Sequence, residues 1–359
     1  MRLDQYSALK FLHHPDRIEQ LRDGKQIVPV SVHWDLCSWC PQACSFCAYR
    51  MPGYTTSQLF SEFDEHGQRR MVTLEKAREI LDDFSSMGVR GVEFTGGGEP
   101  TAHPNFFHIA SCAFEKGLDV ALVTNGVLLT DDSAELLAAR GTWVRFSIDA
   151  ATESTYTHMR CVPPIQWERA ITNLRNLCSR KAASLVVGVG FVVNRENWRE
   201  IVAAAELAKD CGADNIRISA VFQQAGANYF DEFRQPASEL CHTARELASE
   251  SFRVFDLFSD RIADLEQGPP DYQRCIYQEF VTYIGGDLSV YRCCNLAFSD
   301  RGKIGSLSHQ SFRTLWESES KRRAFYGFDA HGCPRCMFNK KNRAMSYAVV
   351  SDPQHVNFV

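Results

Sequence analysis

Short apolar runs alternate along the chain with longer stretches in which apolar residues recur at every third or fourth position. Val28–Leu36 reads as a strand, and Leu74, Ala77, Leu81, Phe84 and Met87 then share one face of a helix over Thr73–Met87. The same grammar repeats. Strands at Val89–Thr95, Asp119–Thr124, Trp143–Ile148, Leu185–Val193 and Asn215–Val221 are each followed by a helical stretch, at Phe106–Lys116, Ala134–Arg140, Trp167–Cys178, Trp198–Lys209 and Ala237–Ser251. Six strand-then-helix units predict parallel α/β architecture, with chemistry on the loops that leave the strand C-termini. They are too few for an eightfold barrel. Beyond a short apolar strand at Arg253–Phe258 the pattern changes, and the charged, Gly-Pro-Pro stretch Leu265–Asp271 reads as linker. Runs at Phe280–Ile284 and Leu288–Tyr291 around Gly285-Gly286-Asp287 predict a hairpin, followed by a short helix near Ser311–Phe325.

Composition sharpens this picture at one residue type. The 359 residues include 14 cysteines, with 39 Lys and Arg against 44 Asp and Glu for a net charge of −5. That cysteine density is well below the roughly 8–10% of a short secreted disulfide scaffold, and many are spaced too tightly for ordinary pairing. The sequence from Met1 shows no apolar leader, and no stretch reaches the roughly 18 apolar residues of a membrane span. A cytoplasmic protein is therefore expected, in which clustered thiols hold metal. A mildly acidic chain gives no reason to expect nucleic acid as its main partner.

The sharpest cluster is Cys40-Pro-Gln-Ala-Cys44-Ser-Phe-Cys47, directly after the first strand. Three thiolates on so short a loop can bind one cuboidal [4Fe–4S] cluster and leave one iron free for an outside ligand. The alternative is a zinc site that takes Cys37 as fourth ligand, which would make the chain a zinc-stabilised binding protein with no radical chemistry. Cys37 itself reads as a small buried residue.

At these residues the chain resembles the radical S-adenosylmethionine (SAM) enzymes, whose hallmark is C-x3-C-x2-C with an aromatic residue, here Phe46, before the last cysteine. The resemblance continues in order through Thr95-Gly96-Gly97-Gly98-Glu99-Pro100, Thr124-Asn125-Gly126 and Ser147-Ile148-Asp149, all at successive strand ends, and then Arg160. It implies that Gly96, Gly97, Gly98 and Glu99 bind the SAM amino group, that Thr124, Asn125, Ser147 and Asp149 lie beside its ribose and carboxylate, and that Arg160 pairs with that carboxylate. Each segment alone has a plainer reading as a turn, a helix cap or a surface arginine.

A second set, Cys275, Cys293, Cys294, Cys333 and Cys336, is confined to the C-terminal region. Ligands drawn from separate elements would pin a region too small to be held by its own core. The stretch Gly286–Cys294, Ile304–Leu307, Leu315-Trp316 and Cys333-Pro-Arg-Cys336 resembles the auxiliary-cluster domains called SPASM and twitch. This implies a second [4Fe–4S] cluster on Cys275, Cys293, Cys333 and Cys336. Cys294 is the alternative to Cys293, because adjacent strand residues point in opposite directions. Four-thiolate zinc is the competitor on spacing alone. Cys161, beside Arg160, is a candidate hydrogen donor.

The resemblance thus implies a partial (β/α)6 TIM-like barrel over residues 28–250, after a lead-in over 1–27. A linker over 251–270, a small α+β auxiliary-cluster domain over 271–340 and a tail over 341–359 complete the expected organisation. It implies an electron donor such as flavodoxin or ferredoxin, reductive cleavage of SAM, and hydrogen abstraction from a small-molecule substrate. Net oxidation assisted by the second cluster is the leading expectation. Epimerisation, decarboxylation or rearrangement of a sugar, amino acid or modified nucleotide, such as a hypermodified pyrimidine, stays open.

Overall fold

The computed structural model describes residues 5–51, 55–223 and 225–350. Ten strands form one sheet: β1 (Ser31–Trp34), β2 (Gly91–Phe94), β3 (Asp119–Thr124), β4 (Trp143–Ser147), β5 (Val186–Val193), β6 (Asn215–Ala220), β7 (Arg253–Asp256), β8 (Val281–Ile284), β9 (Ser289–Tyr291) and β10 (Lys303–Ser306). Their order is β10-β9-β8-β1-β2-β3-β4-β5-β6-β7. β1 through β7 pair in parallel, as the repeated strand-helix units require, and make up the partial barrel.

Alternation decides which face each strand buries. On β5, Val187, Val189, Phe191 and Val193 pack among the helices, whereas Gly188, Gly190 and Val192 lie on the inner face. Helix Leu74–Met87 shows the matching periodicity. It buries Ala77, Ile80, Leu81 and Phe84, is capped by Thr73, whose side chain accepts from Lys76 N, and stops at Gly88 in the left-handed region.

Three expectations are corrected. Residues 253–267 are not linker. Arg253–Asp256 is the seventh parallel strand, and Phe258–Gln267 is a helix that buries Phe258, Ile262 and Leu265 against the core. The Gly-Pro-Pro signal marks only the end of that helix. Secondly, β8 returns to pair with β1 in parallel, Ser31 opposite Val281 and Trp34 opposite Ile284, so the hairpin β8-β9 extends the barrel sheet at its first edge. Nothing local in the sequence specifies that long-range pairing. Thirdly, the lead-in contains helix Pro15–Arg22, and helix Asn339–Val349 occupies the described part of the tail. With Phe11, Ile276, Tyr277 and Phe280 these two helices form a second small core through Ile18, Leu21, Met345 and Val349. The rest of the expected tail, 351–359, lies outside the described residues. Among the described residues no helix is long and apolar enough to cross a membrane.

Candidate active site

The loop bearing Cys40, Cys44 and Cys47 leaves the C-terminal end of β1 and folds over the adjoining strand ends. Its backbone is held from two sides. Ala43 N and Ser45 N donate to the carbonyls of Arg160 and Met159, and Glu99 N donates to Trp39 O. Gly98 is needed for close approach, since a Cβ there would lie 2.0 Å from the Cys37 carbonyl oxygen. The Cys37 thiol is buried and donates to the carbonyl of Glu99 at 3.3 Å, so it serves the scaffold.

Two donors are aimed at the loop sulfurs. Asn125 Nδ2 lies 3.7 Å from Cys40 Sγ, and Arg160 Nη1 lies 3.6 Å from Cys44 Sγ. Burial pushes the Cys40 thiol up to about 12, with Glu99 adding to the effect, and raises Cys44 as well. Thiols so placed ionise by binding metal. Among the described residues Arg160 Nε and Ser38 Oγ are buried beside the loop without hydrogen-bond partners. Three thiols on one loop, flanked by N–H donors, fit an anionic iron–sulfur group. Among the described residues no three His, Cys, Asp or Glu side chains converge as a single-ion site. A cuboidal cluster places each cysteine on its own iron and asks for a wider spread than one ion does.

The neighbouring motif residues are brought together, but several are spent differently from the expectation. Glu99 Oε1 accepts from Thr101 N and from the hydroxyls of Thr101 and Thr124, while Oε2 accepts from Asn125 N at 2.7 Å. Its carboxylate therefore braces the ends of β2 and β3. The Cβ directions of Gly96 and Gly97 are filled by Asp35 and by the Phe60 ring. Arg160 is corrected most. Its Nη2 donates to Asp149 Oδ2 and Ser147 O, each at 2.6 Å, and its Nη1 donates to Gln42 Oε1 at 2.5 Å. Both ends of the guanidinium fork are thus committed to the protein. Burial pulls this group down, but Cys44, Tyr156 and Asp149 outweigh it and hold the charge. Phe46 lies under the same guanidinium, with its ring centre 5.8 Å away. Asp149, at positive φ, also accepts from Val192 N and so joins β4 to β5. Cys161 is exposed, caps helix Glu153–Arg160 in the left-handed region, and donates to His158 O, which removes it as an inward hydrogen donor.

Sequence reading missed two members. Gln42, between the first two cysteines, links Arg160 to Tyr156 and Gln166. Asp35, at the end of β1, accepts from Gly98 N and Gly286 N, and burial pushes its carboxyl up to about 8. A lone acidic residue directly after an apolar strand was the signal available. Gly286 itself lies against the cluster loop, since a Cβ there would meet Ser38 Oγ at 2.8 Å.

Cys275, Cys293, Cys333 and Cys336 line one pocket at the other end of β8 and β9, together with Tyr272, Arg292 and Phe338. Cys294 does not line it. Cys293 is extended and Cys294 opens a short helical turn, so the two side chains diverge, and Cys294 packs with Tyr283, Tyr291 and Phe298. Burial pushes Cys275 up to about 12 and raises Cys293, Cys333 and Cys336. Arg292 is pulled down by burial to about 10 and drawn back up by Cys275 and Cys293. Four thiols and a buried cation fit an anionic cluster.

Residues 35–208 match the model of the radical SAM superfamily. That segment, just under half of the chain, carries the likeness to the superfamily. Among curated relatives, the AdoMet-dependent heme synthase of Methanosarcina barkeri is 31% identical over 186 residues, 52% of this chain and 48% of its own, so the chain spans about half of that relative. Mycofactocin maturase MftC of Mycobacterium tuberculosis is 27% identical over 317 residues, 85% of this chain and 74% of its own. Among solved structures, SuiB of Streptococcus suis, bound to precursor peptide SuiA, superposes with a TM-score of 0.61 at 12% identity over 89% of this chain and 72% of its own. That likeness extends the fold assignment beyond the matched domain.

Proposed function

We propose that the chain holds one [4Fe–4S] cluster on Cys40, Cys44 and Cys47 and a second on Cys275, Cys293, Cys333 and Cys336, and oxidises a small-molecule substrate by two electrons. When bound, the first cluster would supply an electron, drawn from an external donor, for reductive cleavage of SAM, and the second would supply an acceptor for the electron given up by the oxidised substrate. Asn125 and Arg160 orient the sulfurs of Cys40 and Cys44 by N–H donation, and Glu99 keeps Asn125 in place. Arg292 supplies the buried countercharge at the second pocket.

The observation that carries the reading is the convergence of four cysteines from separate segments on one pocket, an arrangement with no evident use unless they share a group. Anaerobic isolation tests it. Two clusters require about eight irons per chain, and SAM with dithionite or reduced flavodoxin should release 5′-deoxyadenosine. A colourless protein holding one or two zinc ions would sink it. A second reading, peptide oxidation, is favoured by SuiB being bound to a precursor peptide. Deuterium transfer into 5′-deoxyadenosine from labelled peptide, but not from labelled metabolites, would select it.

A further inference from the structure

The inner face of the sheet carries positive charge that the scaffold leaves unanswered. Arg145 on β4 alternates with Val144 and Phe146, and Arg217 on β6 with Ile216 and Ile218, all four packed among the helices, so both arginines project inward. On β5 between them, Gly188 stands opposite Arg145 and Gly190 opposite Arg217. A Cβ on Gly190 would touch the Arg145 side chain at 3.5 Å, so Arg145 lies across the central strand toward Arg217. Lys341, on helix Asn339–Val349, is pulled down by burial and by the charges of Lys10 and Arg217.

Counter-charge there is already committed: Asp149, which feels both Arg145 and Arg217, is paired with Arg160 at 2.6 Å. Glu93 is already paired with His33 at 3.4 Å, and Arg261, on the rim, bonds to Asp264 and Met337 O. Among the described residues, Arg145, Arg217 and Lys341 form no ion pair. Among the described residues Arg217 Nε is buried without a hydrogen-bond partner, and its guanidinium rests over the Tyr6 ring at 5.6 Å. Burial and Arg145 together pull Arg217 down to about 9. Mutually repelling buried cations weaken a fold, whereas a preorganised set of guanidinium donors grips carboxylate or phosphate. Arg145 also lies two residues before Ser147, whose carbonyl anchors Arg160, roughly 7 Å along the strand from the cluster-loop network.

We propose that Arg145 and Arg217 bind the anionic groups of the substrate, which is a small molecule carrying at least two carboxylates or phosphates. This rests on the radical SAM oxidation argued above. Calorimetric titration of the reconstituted full chain with citrate, and separately with pyrophosphate, tests it. At least one should bind saturably at one per chain, with tighter citrate assigning carboxylates and tighter pyrophosphate assigning phosphates. Arg145→Gln and Arg217→Gln should each weaken binding by about 10–100-fold, the loss of one charge-assisted contact, and Arg217→Lys should restore part of it.

Failure of both anions to bind, or binding indifferent to these substitutions, overturns the proposal. Melting gives a second readout. Arg217→Gln should hold or raise Tm by relieving repulsion, and a fall would make Arg217 a structural strut and overturn the assignment. Release of 5′-deoxyadenosine by the unmodified chain reports on the radical reading separately, so release without anion binding sinks this inference alone.

Discussion

The two cysteine sites are built in opposite ways. Cys40, Cys44 and Cys47 lie within eight residues on one loop, and their setting is supplied by strand ends that exist for other reasons. Cys275, Cys293, Cys333 and Cys336 come from the segment before β8, the end of β9 and the turn before the last helix, and only the folded hairpin and tail bring them to one pocket. A loop-borne site can lose a ligand and leave the fold standing. A pocket assembled from separate segments is part of what holds those segments together, so its chemistry and its stability are coupled.

The widest test of that contrast is Cys44→Ala, which should abolish 5′-deoxyadenosine release while Tm moves little. A large fall in Tm would mean that the loop site is structural too. Cys333→Ala should lose about half the iron, four of about eight per chain, lower Tm by several degrees, and spare part of the 5′-deoxyadenosine release. Equal Tm for the two variants would erase the distinction between the sites. Arg160→Met comes next. It strands Asp149, buried and deprived of its cation, at a cost of about 3–5 kcal/mol, and removes the side-chain ties from Arg160 to Gln42 and Cys44 on the loop. Denaturant unfolding measures the first effect and iron retention the second.

Asp35 gives the smallest effect and the most local one, because it accepts from Gly98 on one side and Gly286 on the other and so joins the two regions. Its folded value of about 8 lies above the ordinary 3.8. Between those values the folded protein holds a proton that the unfolded chain does not. The resulting stabilisation is complete below about pH 4 and is lost as pH rises through 8. Asp35→Asn should remove this dependence, giving a flatter Tm profile from pH 6 to 9 and the greatest gain over the unmodified chain at the alkaline end. Parallel profiles for the two proteins would show that Asp35 is ionised throughout.

Legibility in the sequence followed the range of the interaction. The six strand-helix units were readable because each is set by local alternation and periodicity, and the cysteine loop because its three donors are close in sequence. The return of β8 to β1 was not readable, since edge pairing across some 250 residues leaves no local pattern. Arg160 illustrates the limit within the site itself. Its residue type and position suggested a grip on a ligand carboxylate, but Asp149, Gln42 and two strand-end carbonyls occupy both its Nη groups and leave only Nε without a partner among the described residues. Cys161, its neighbour, turns outward because the helix ends there in a left-handed cap.

The sequence by itself carries the signal behind the proposed class of chemistry, because three cysteines on a loop after the first strand and matching residues at the next strand ends are one-dimensional facts. Tertiary structure alone decided that Cys293 and not Cys294 lines the second pocket, that residues 253–267 belong to the barrel, and that two arginines face inward across a glycine strand. A spacing along the chain fixes what can reach a shared centre within one loop. Which way a side chain points, and what it meets there, depends on strand pairing and packing between segments far apart in the chain.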